Sequence, residues 1–308
     1  MRKILLTGAG GFLGLHVEAL LGKLDCTYKA IGGRREIDLR DKWETEDLFD
    51  HWRPDVVIHL AAVVGGIGAN RERPADFFID NALMGASILS ACRATLPKRL
   101  IMVGTTCSYP KSPARIPFEE GQLFDGYPEE TNAPYGLAKR ALMAGAVALQ
   151  QQYGVRVVNL IPTNLYGPGD HYDHKKSHVI PALIRRFLEA GDGPVALWGS
   201  GKPTRDFLFV EDAAQAIVRA IDADVDPQPI NLGSGQEVQI FNLAHLVADV
   251  CGYEGEIHWD HSNPDGQPRR WLSTARAQRL LGWKASTPLR TGLERTVEAY
   301  RASQGVSA

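Results

Sequence analysis

The sequence predicts an α/β fold, a Rossmann-type doubly wound parallel sheet with a smaller C-terminal region. Three observations predict it. A glycine-rich turn follows the first apolar strand, nearly continuous apolar runs indicate strands buried on both faces, and helical patterns alternate with these runs over the first 160 residues. After residue 165 this alternation loosens, which indicates that a second region begins there.

The composition is that of a globular protein with a large core. The chain has 308 residues, 44% of them hydrophobic, and 34 Lys and Arg nearly balance 36 Asp and Glu. The sequence contains no long run of one charge sign, so it gives no indication of a nucleic-acid or membrane partner.

The apolar run near the start is too short for a signal peptide or a membrane span, so we expect a cytoplasmic protein. The four cysteines, at positions 26, 92, 107 and 251, lack metal-type spacing and are too few for a disulfide framework, so we expect reduced thiols and no metal.

The first strand, near residues 3–7, ends in a glycine turn, and a helical pattern follows from Leu13 to about Leu24. Between a strand and a helix, such glycines let backbone N–H groups approach the pyrophosphate of a dinucleotide. The alternative is a tight turn without a ligand. The positions expected to contact the cofactor are Gly8, Gly11, Phe12, Leu13 and Gly14.

The second strand, near residues 28–31, runs into Arg34 and Arg35. Arginine accommodates the 2′-phosphate of NADP, whereas an acid would accept the ribose hydroxyl of NAD, so the sequence favours NADP(H). Ordinary surface arginines are the alternative. Asp38, followed by Leu39, is placed to reach the adenine or to cap the next helix.

The third strand, residues 55–62, should be covered on both faces, with Leu60, Ala61 and Ala62 beside the cofactor. His59 is expected to be a core residue, and a catalytic role is the alternative. The glycine-rich loop 63–70 should line the substrate side. The next buried strand, residues 99–104, ends at Thr105 and Cys107, whose side chains would face a substrate carbonyl. A small buried thiol without function is the alternative for Cys107.

A helix predicted from Pro134 to about Tyr153 places Tyr135 and Lys139 one turn apart on the same face. A lysine close to a tyrosine favours the phenolate, so we expect the pKa of Tyr135 to be lowered and the phenol to act as an acid for a carbonyl. Chance spacing is the alternative. Because this helix is apolar on several sides, we expect a homodimer through the helices near 74–94 and 134–153, or else extra cover within one chain.

The changing pattern predicts a dinucleotide-binding domain over residues 1–165, which the chain re-enters near 207–233. The substrate-binding region would then comprise residues 166–206 and 234–308. Residues 198–207 are typical of a hairpin-like turn. Three arginines, Arg186, Arg205 and Arg270, are candidates to hold a diphosphate, although surface arginines are common.

Taken together, the glycine turn, Thr105, Tyr135 and Lys139 resemble the extended short-chain dehydrogenase/reductase family that acts on nucleotide sugars. Residues 64–70 (VGGIGAN), 107–111 (CSYPK), 162–168 (PTNLYGP) and 177–183 (SHVIPAL) resemble its members that epimerise and reduce GDP-linked 4-keto-6-deoxy sugars. The resemblance covers nearly the whole chain.

This resemblance implies a two-stage reaction at one site. Cys107 and His178 would move protons at the carbons beside a C4 ketone, and NADPH would then reduce the ketone while Tyr135, assisted by Thr105 and Lys139, protonates the oxygen. It also implies cofactor contacts at Pro162, Asn164 and Leu165. The substrate contacts that it implies are Asn164, His178, Arg186, Trp198, Arg205 and Arg270.

Three positions depart from the family pattern, with Thr105 in place of serine, Ser108 in place of an apolar residue and Arg270 in place of lysine. These changes leave open a dTDP-linked or heptose-type keto sugar as substrate. The sequence is also compatible with a plain 4-ketoreductase, or with a non-catalytic regulator that only binds NADP.

Overall fold

A computed structural model describes residues 1–173, 177–262 and 265–305. The helices of these residues are α1 (Phe12–Leu21), α2 (Lys42–Trp52), α3 (Ile67–Glu72), α4 (Pro74–Thr95), α5 (Ala133–Tyr153), α6 (Val179–Ala190), α7 (Val210–Arg219), α8 (Ile240–Cys251), α9 (Ala275–Leu281) and α10 (Leu289–Ser303). The strands are β1 (Arg2–Thr7), β2 (Cys26–Ile31), β3 (Val56–His59), β4 (Arg99–Val103), β5 (Arg156–Pro162), β6 (Asn164–Tyr166), β7 (Val195–Trp198), β8 (Thr204–Arg205), β9 (Phe207–Phe209), β10 (Ile230–Leu232), β11 (Val238–Gln239), β12 (Ile257–Asp260) and β13 (Arg269–Arg270).

The central sheet is parallel throughout, in the order β10-β5-β4-β3-β1-β2. The chain order reverses between β1 and β3, and ligands of such sheets bind in the crevice beyond the carboxyl ends of the strands at that point. The predicted fold class is therefore confirmed.

Alternate residues of β1 face opposite sides of the sheet. Ile4 and Leu6 belong to the core under α1 and α7, whereas Leu5 belongs to the core under α2, α4 and α5. All three side chains are fully buried. Continuous apolar sequence in these strands follows from this cover on both faces.

The last strand of the sheet, β10, comes from the segment in which the sequence predicted a return to the first domain. A separate core gathers α6, α8 and α10 around β7, and small sheets pair β7 with β12 and β8 with β11 and β13. The division into two domains stays a proposal, which the position of β10 supports.

The hairpin expected over residues 198–207 is wrong. β7 pairs with β12, and β8 pairs with β11 and β13, so the two strands flanking the turn do not pair with each other. The chain does turn here, since Gly199 and Gly201 have positive φ angles. The strands on either side of the turn pair with strands from distant parts of the chain. No helix of the described residues is long and apolar enough to cross a membrane.

Candidate active site

Glycine is required at both ends of the turn between β1 and α1. Gly8 has a φ angle of 78°, and a Cβ atom built on it would lie 2.6 Å from the nitrogen of Ala61. A Cβ on Gly14 would lie 2.0 Å from the carbonyl oxygen of Gly8. α1 begins without a side-chain cap, so its first N–H groups, at Phe12 and Leu13, point toward the space above the turn. Such a helix start is suited to bind a pyrophosphate.

The other wall of this space follows β3 and continues into the loop after Leu60. Asn81 of α4 fixes that loop, because its side chain accepts from the nitrogen of Val63 at 3.0 Å and donates to its oxygen at 2.9 Å. His59 is buried and hydrogen-bonds Thr7 at 2.8 Å, which confirms its assignment to the core. Ala61 and Ala62 begin this loop, and Ala61 lies directly against Gly8 of the glycine turn.

The two arginines after β2 have different surroundings. Arg34 pairs with Asp80 of α4 at 2.8 Å, whereas Arg35 makes no ion pair with any described residue. Asp38 pairs with Arg40, and the Arg40 guanidinium holds the pKa of this carboxyl down to about 2. Leu39 is buried beside them.

Thr105 and Cys107 lie where β4 ends, in a short 3₁₀ turn, Thr106–Ser108. The Thr105 hydroxyl caps the turn by accepting from the nitrogen of Cys107 at 3.2 Å. Ser108 donates to the carbonyl oxygen of Gly136 at 2.8 Å, which ties the turn to the start of α5. A Cβ on Gly136 would lie 2.1 Å from the carbonyl oxygen of Cys107, so glycine permits this close approach.

Tyr135 therefore lies beside both side chains of the turn. Burial raises the pKa of its phenol above the usual value, the neighbouring Cys107 raises it further, and a hydrogen bond with Thr105 opposes them. The ring also packs edge-on against Phe77 of α4. The expectation that Lys139 lowers this pKa is wrong for the structure, because burial of the phenol dominates.

Lys139 is almost fully buried and donates to the carbonyl oxygen of Val103 at 3.1 Å. Burial lowers its pKa to about 8, so the ammonium stays mostly charged at neutral pH. Its charge in turn contributes, after burial itself, to lowering the pKa of His59 to about 3. A cation thus lies under the site, one helical turn from Tyr135.

Cys107 also contacts the second region of the chain. Arg270 approaches its sulfur to 3.8 Å and is oriented by a 3.0 Å hydrogen bond to the side chain of Gln267. Arg205 donates to the backbone oxygen of Gln267 at 2.7 Å, and burial followed by repulsion from Arg270 lowers its pKa to about 10. The structure therefore brings Cys107, Arg205 and Arg270 together.

Glu129 faces these two arginines. Burial raises the pKa of Glu129, but hydrogen bonds from Thr131 and Asn132 and the charge of Arg270 outweigh burial and leave it below the usual value. The sequence interpretation missed Glu129 and Gln267. Glu129 stands six residues before Tyr135 and Gln267 three before Arg270, but nothing local distinguishes either from a surface residue.

Arg186 and Trp198 form a pair further out. The Arg186 guanidinium lies 5.9 Å from the centre of the Trp198 ring and donates to the oxygen of Ala196 at 3.2 Å. The Trp198 side chain is 69% exposed, so one face of a large aromatic ring remains open to a ligand.

Asn164 uses its amide to donate to the backbone oxygen of Asp206 at 2.8 Å. Pro162 ends β5, and Leu165 follows in β6 and packs against the core under α1 and α7. Asp206 was also missed by the sequence interpretation. Its carboxyl is fully buried, accepts from the nitrogen and hydroxyl of Ser234, and has a pKa that burial raises to about 6.

His178 directly precedes α6. Part of its surface is open to solvent, but neighbouring protein atoms still displace much of the water around the ring. This surrounding protein, and then the neighbouring His171, lower its pKa, so the ring is neutral at pH 7. Among the described residues, no hydrogen bond joins His178 to Thr105, Cys107 or Tyr135. Its predicted role stays a proposal.

A cavity of about 480 Å³ lies away from these residues, at the amino ends of the sheet strands. Its lining includes Arg2, Asp55, Lys98, Arg99 and Arg156 and none of the predicted site residues. Most of these charges are paired with one another, for example Arg2 with Asp222 and Lys98 with Asp55. The predicted site residues Thr105, Cys107 and Tyr135 lie instead beyond the carboxyl end of β4.

The fold and the site define a class of protein, the Rossmann-fold proteins with a Tyr/Lys pair and a hydroxyl residue beside a dinucleotide site. The chain belongs to the NAD dependent epimerase/dehydratase family, whose model matches residues 4–233. It is 39% identical to a GDP-L-fucose synthase from Sinorhizobium fredii over 302 residues, 97% of this chain and 95% of the relative.

Solved structures of nucleotide-sugar enzymes have the same fold as this chain. A GDP-L-fucose synthetase from Naegleria fowleri bound to NADP superposes with a TM-score of 0.90 at 31% identity, covering 99% of this chain and 94% of the other. A GDP-6-OMe-4-keto-L-xylo-heptose reductase from C. jejuni superposes with a TM-score of 0.89 at 26% identity, covering 98% of both chains.

Proposed function

We propose that the protein is an NADPH-dependent epimerase-reductase that converts GDP-4-keto-6-deoxy-D-mannose to GDP-L-fucose, as a GDP-L-fucose synthase does. The curated relatives support this assignment, since several with that name match over nearly the whole chain. The observation that carries it is the meeting of Cys107 with Thr105 and Tyr135. A reductase needs only the hydroxyl groups, whereas epimerisation also needs a group that moves protons at carbon.

The residues present fit a nicotinamide dinucleotide. Gly8 and Gly14 leave a cradle that a Cβ atom would fill, and the uncapped start of α1 faces it. Arg34 and Arg35 would hold the 2′-phosphate, with Asp38 and Leu39 beside the adenine. Leu60, Ala61, Ala62, Pro162, Asn164 and Leu165 would line the remaining surface. When bound, the cofactor supplies a hydride for the C4 carbonyl.

Tyr135 acts as the proton donor in the reduction. Its raised pKa keeps the phenol protonated at neutral pH, so it has a proton to give when negative charge develops on the C4 oxygen. Thr105 donates a second hydrogen bond to this oxygen, and the ammonium of Lys139 stabilises the phenolate that remains.

Epimerisation uses the same oxygen-binding groups. Protons at C3 and C5 are acidic because their loss gives an enolate, whose oxygen Thr105 and Tyr135 stabilise. Cys107 and His178 remove a proton from one face of the carbon and return one to the other. His178 is suited to accept protons because its ring is neutral at pH 7.

Positive charge in the second region suits the nucleotide diphosphate. Arg205 and Arg270 are half-buried and already oriented by Gln267, so little side-chain freedom is lost on binding. Arg186 and Trp198 would contact the nucleotide further out, and Asn164 would contact the sugar.

The decisive experiment is proton exchange without cofactor. Incubation of the protein with the keto sugar in heavy water should load deuterium at C3 and C5, detected by mass spectrometry or NMR. If NADPH is oxidised but no deuterium appears, the protein is a plain 4-ketoreductase, the alternative that the similarity to the heptose reductase favours. A panel of GDP- and dTDP-linked keto sugars then identifies the base.

We also propose that the protein is a homodimer and that it works in the cytoplasm. Phe78, Ile79 and Leu83 of α4 are exposed, next to the exposed alanines of α5, Ala141, Ala144 and Ala148. An apolar surface of this kind marks an interface. Sedimentation should give a dimer for the wild type, and Leu83→Glu should give a monomer. A wild-type monomer would contradict the proposal.

A further inference from the structure

Four charged side chains form a chain of ion pairs beyond the carboxyl end of β2. Arg34 donates to Asp80 at 2.8 Å, and Asp80 accepts a second bond from Arg40 at 3.1 Å. Arg40 also holds Asp38, from Nε at 2.9 Å and from Nη2 at 2.5 Å. Cations and anions therefore alternate in the order Arg34, Asp80, Arg40, Asp38. The sequence interpretation identified neither Arg40 nor Asp80.

This chain of ion pairs lies beside the dinucleotide turn. A Cβ on Gly10 would lie 2.6 Å from the carbonyl oxygen of Gly32, so the glycine turn touches the end of β2. Asp80 lies next to Asn81, which fixes the loop after β3. The position of Asp80 is thus set by the same helix turn that shapes the cofactor wall.

Acidic side chains beyond the end of β2 would weaken the binding of a 2′-phosphate. A carboxylate near the adenosine ribose favours the free 2′-hydroxyl of NADH, whereas a phosphate is repelled by it. Two carboxylates, those of Asp38 and Asp80, flank Arg34 here. Arg40 pairs with both carboxylates and makes a two-point contact to Asp38, and this hydrogen bonding lowers the pKa of Asp38 to about 2.

We propose that Arg40 is a specificity-determining residue, which favours NADPH over NADH by neutralising Asp38 and Asp80 beside the 2′-phosphate site. The inference rests on the proposed function, because it requires a nicotinamide dinucleotide at the glycine turn. Arg40 acts as a positioning residue. Its donors are directed at the two carboxylates, and contact with the cofactor is left to Arg34 and Arg35.

The test measures binding of each cofactor to the full chain without sugar substrate, by fluorescence or calorimetric titration. Arg40→Gln removes the charge and keeps a polar side chain. We expect the Kd for NADPH to rise about tenfold or more, as expected when a unit charge is lost near a phosphate, and the Kd for NADH to change less than about twofold.

A second variant separates this role from simple damage to the fold. Arg40→Gln combined with Asp38→Asn removes the carboxylate that Arg40 had neutralised, so NADPH affinity should recover to within about threefold of the wild type. Arg53→Gln is the matched control, because Arg53 also pairs with an acid, Asp50 at 3.0 Å, but lies on the surface at the end of α2. It should leave both affinities unchanged.

Each outcome decides the inference. Equal NADPH affinity in the wild type and Arg40→Gln would overturn it, and so would equal losses in the single and double variants, since Arg40 would then act directly on the phosphate. Failure of the unmodified protein to bind either cofactor would overturn the proposed function itself. A loss of NADPH affinity in Arg40→Gln that is recovered in the double variant would show that Arg40 acts by neutralising Asp38.

Discussion

Replacing Gly136 with alanine tests the geometry on which the proposed chemistry depends. The added Cβ would lie 2.1 Å from the carbonyl oxygen of Cys107 and 2.7 Å from its carbonyl carbon, and both atoms are backbone that no rotamer change can move aside. Real Cβ contacts are essentially never shorter than 3.0 Å. The turn carrying Cys107 and the start of α5 carrying Tyr135 must therefore separate by about 1 Å.

Gly145 provides a matched control on the same helix. Alanine there would meet only the Cδ1 atom of Leu89, at 3.0 Å, the end of a flexible side chain. Both variants gain the helix preference of alanine, up to about 1 kcal/mol, so their difference isolates the clash. Overpacking costs about 1–3 kcal/mol, and we expect Gly136→Ala to be less stable than Gly145→Ala by that amount.

We expect the loss of kcat to be larger than the loss of stability alone would produce. A displacement of about 1 Å between catalytic groups costs about 10²-fold in rate, so kcat of Gly136→Ala should drop by that factor under conditions where the variant is folded. Urea unfolding and NADPH oxidation measure the two effects. Equal stability and equal kcat of Gly136→Ala and Gly145→Ala would refute this close approach of the turn to α5.

Three further predictions concern single groups. Tyr135→Phe should lower kcat by about 10²–10⁴-fold while the exposed control Tyr127→Phe leaves it unchanged, and equal activities would remove the phenol from the mechanism. Cys107→Ser should abolish deuterium loading at C3 and C5 yet still reduce an already epimerised keto sugar; retained exchange would assign the proton transfer to other groups. Because the folded-state pKa of Asp206 is raised from 3.8 to about 6, the native state binds its proton more tightly than the unfolded state, and the ionised carboxyl destabilises the fold above pH 6. Wild-type stability relative to Asp206→Asn should therefore fall by about 2–3 kcal/mol between pH 4 and pH 8 in urea unfolding, and a constant difference would contradict the raised pKa.

Local patterns predicted the parts of the site that depend on neighbouring residues. The spacing of Gly8 and Gly14 predicts a dinucleotide turn because a strand, a tight turn and a helix start follow one another directly in the sequence. Tyr135 and Lys139 are four residues apart, so helix geometry alone places them on one face. Thr105 was predicted for a similar reason, since it follows an apolar run of strand length.

Other features depend on residues that are distant in sequence. Arg270 lies 163 positions from Cys107, and contacts between distant segments, such as the pairing of β13 with β8 and the hydrogen bond from Gln267 to the oxygen of Lys111, bring it beside the thiol. The sign of the Tyr135 pKa shift was wrong because a sequence shows the lysine nearby but not the depth of burial around the phenol. Arg40 was missed because the significance of its charge depends on Asp80, which α4 supplies.

The sequence by itself determined the family of the chain, its parallel sheet and the residues at the carboxyl ends of β1 and β4, because short-range sterics and hydrophobic periodicity are written into consecutive residues. Tertiary structure decided how these residues are charged and what surrounds them. Electrostatic free energies depend on distances and burial in space, and chain separation does not reveal either quantity.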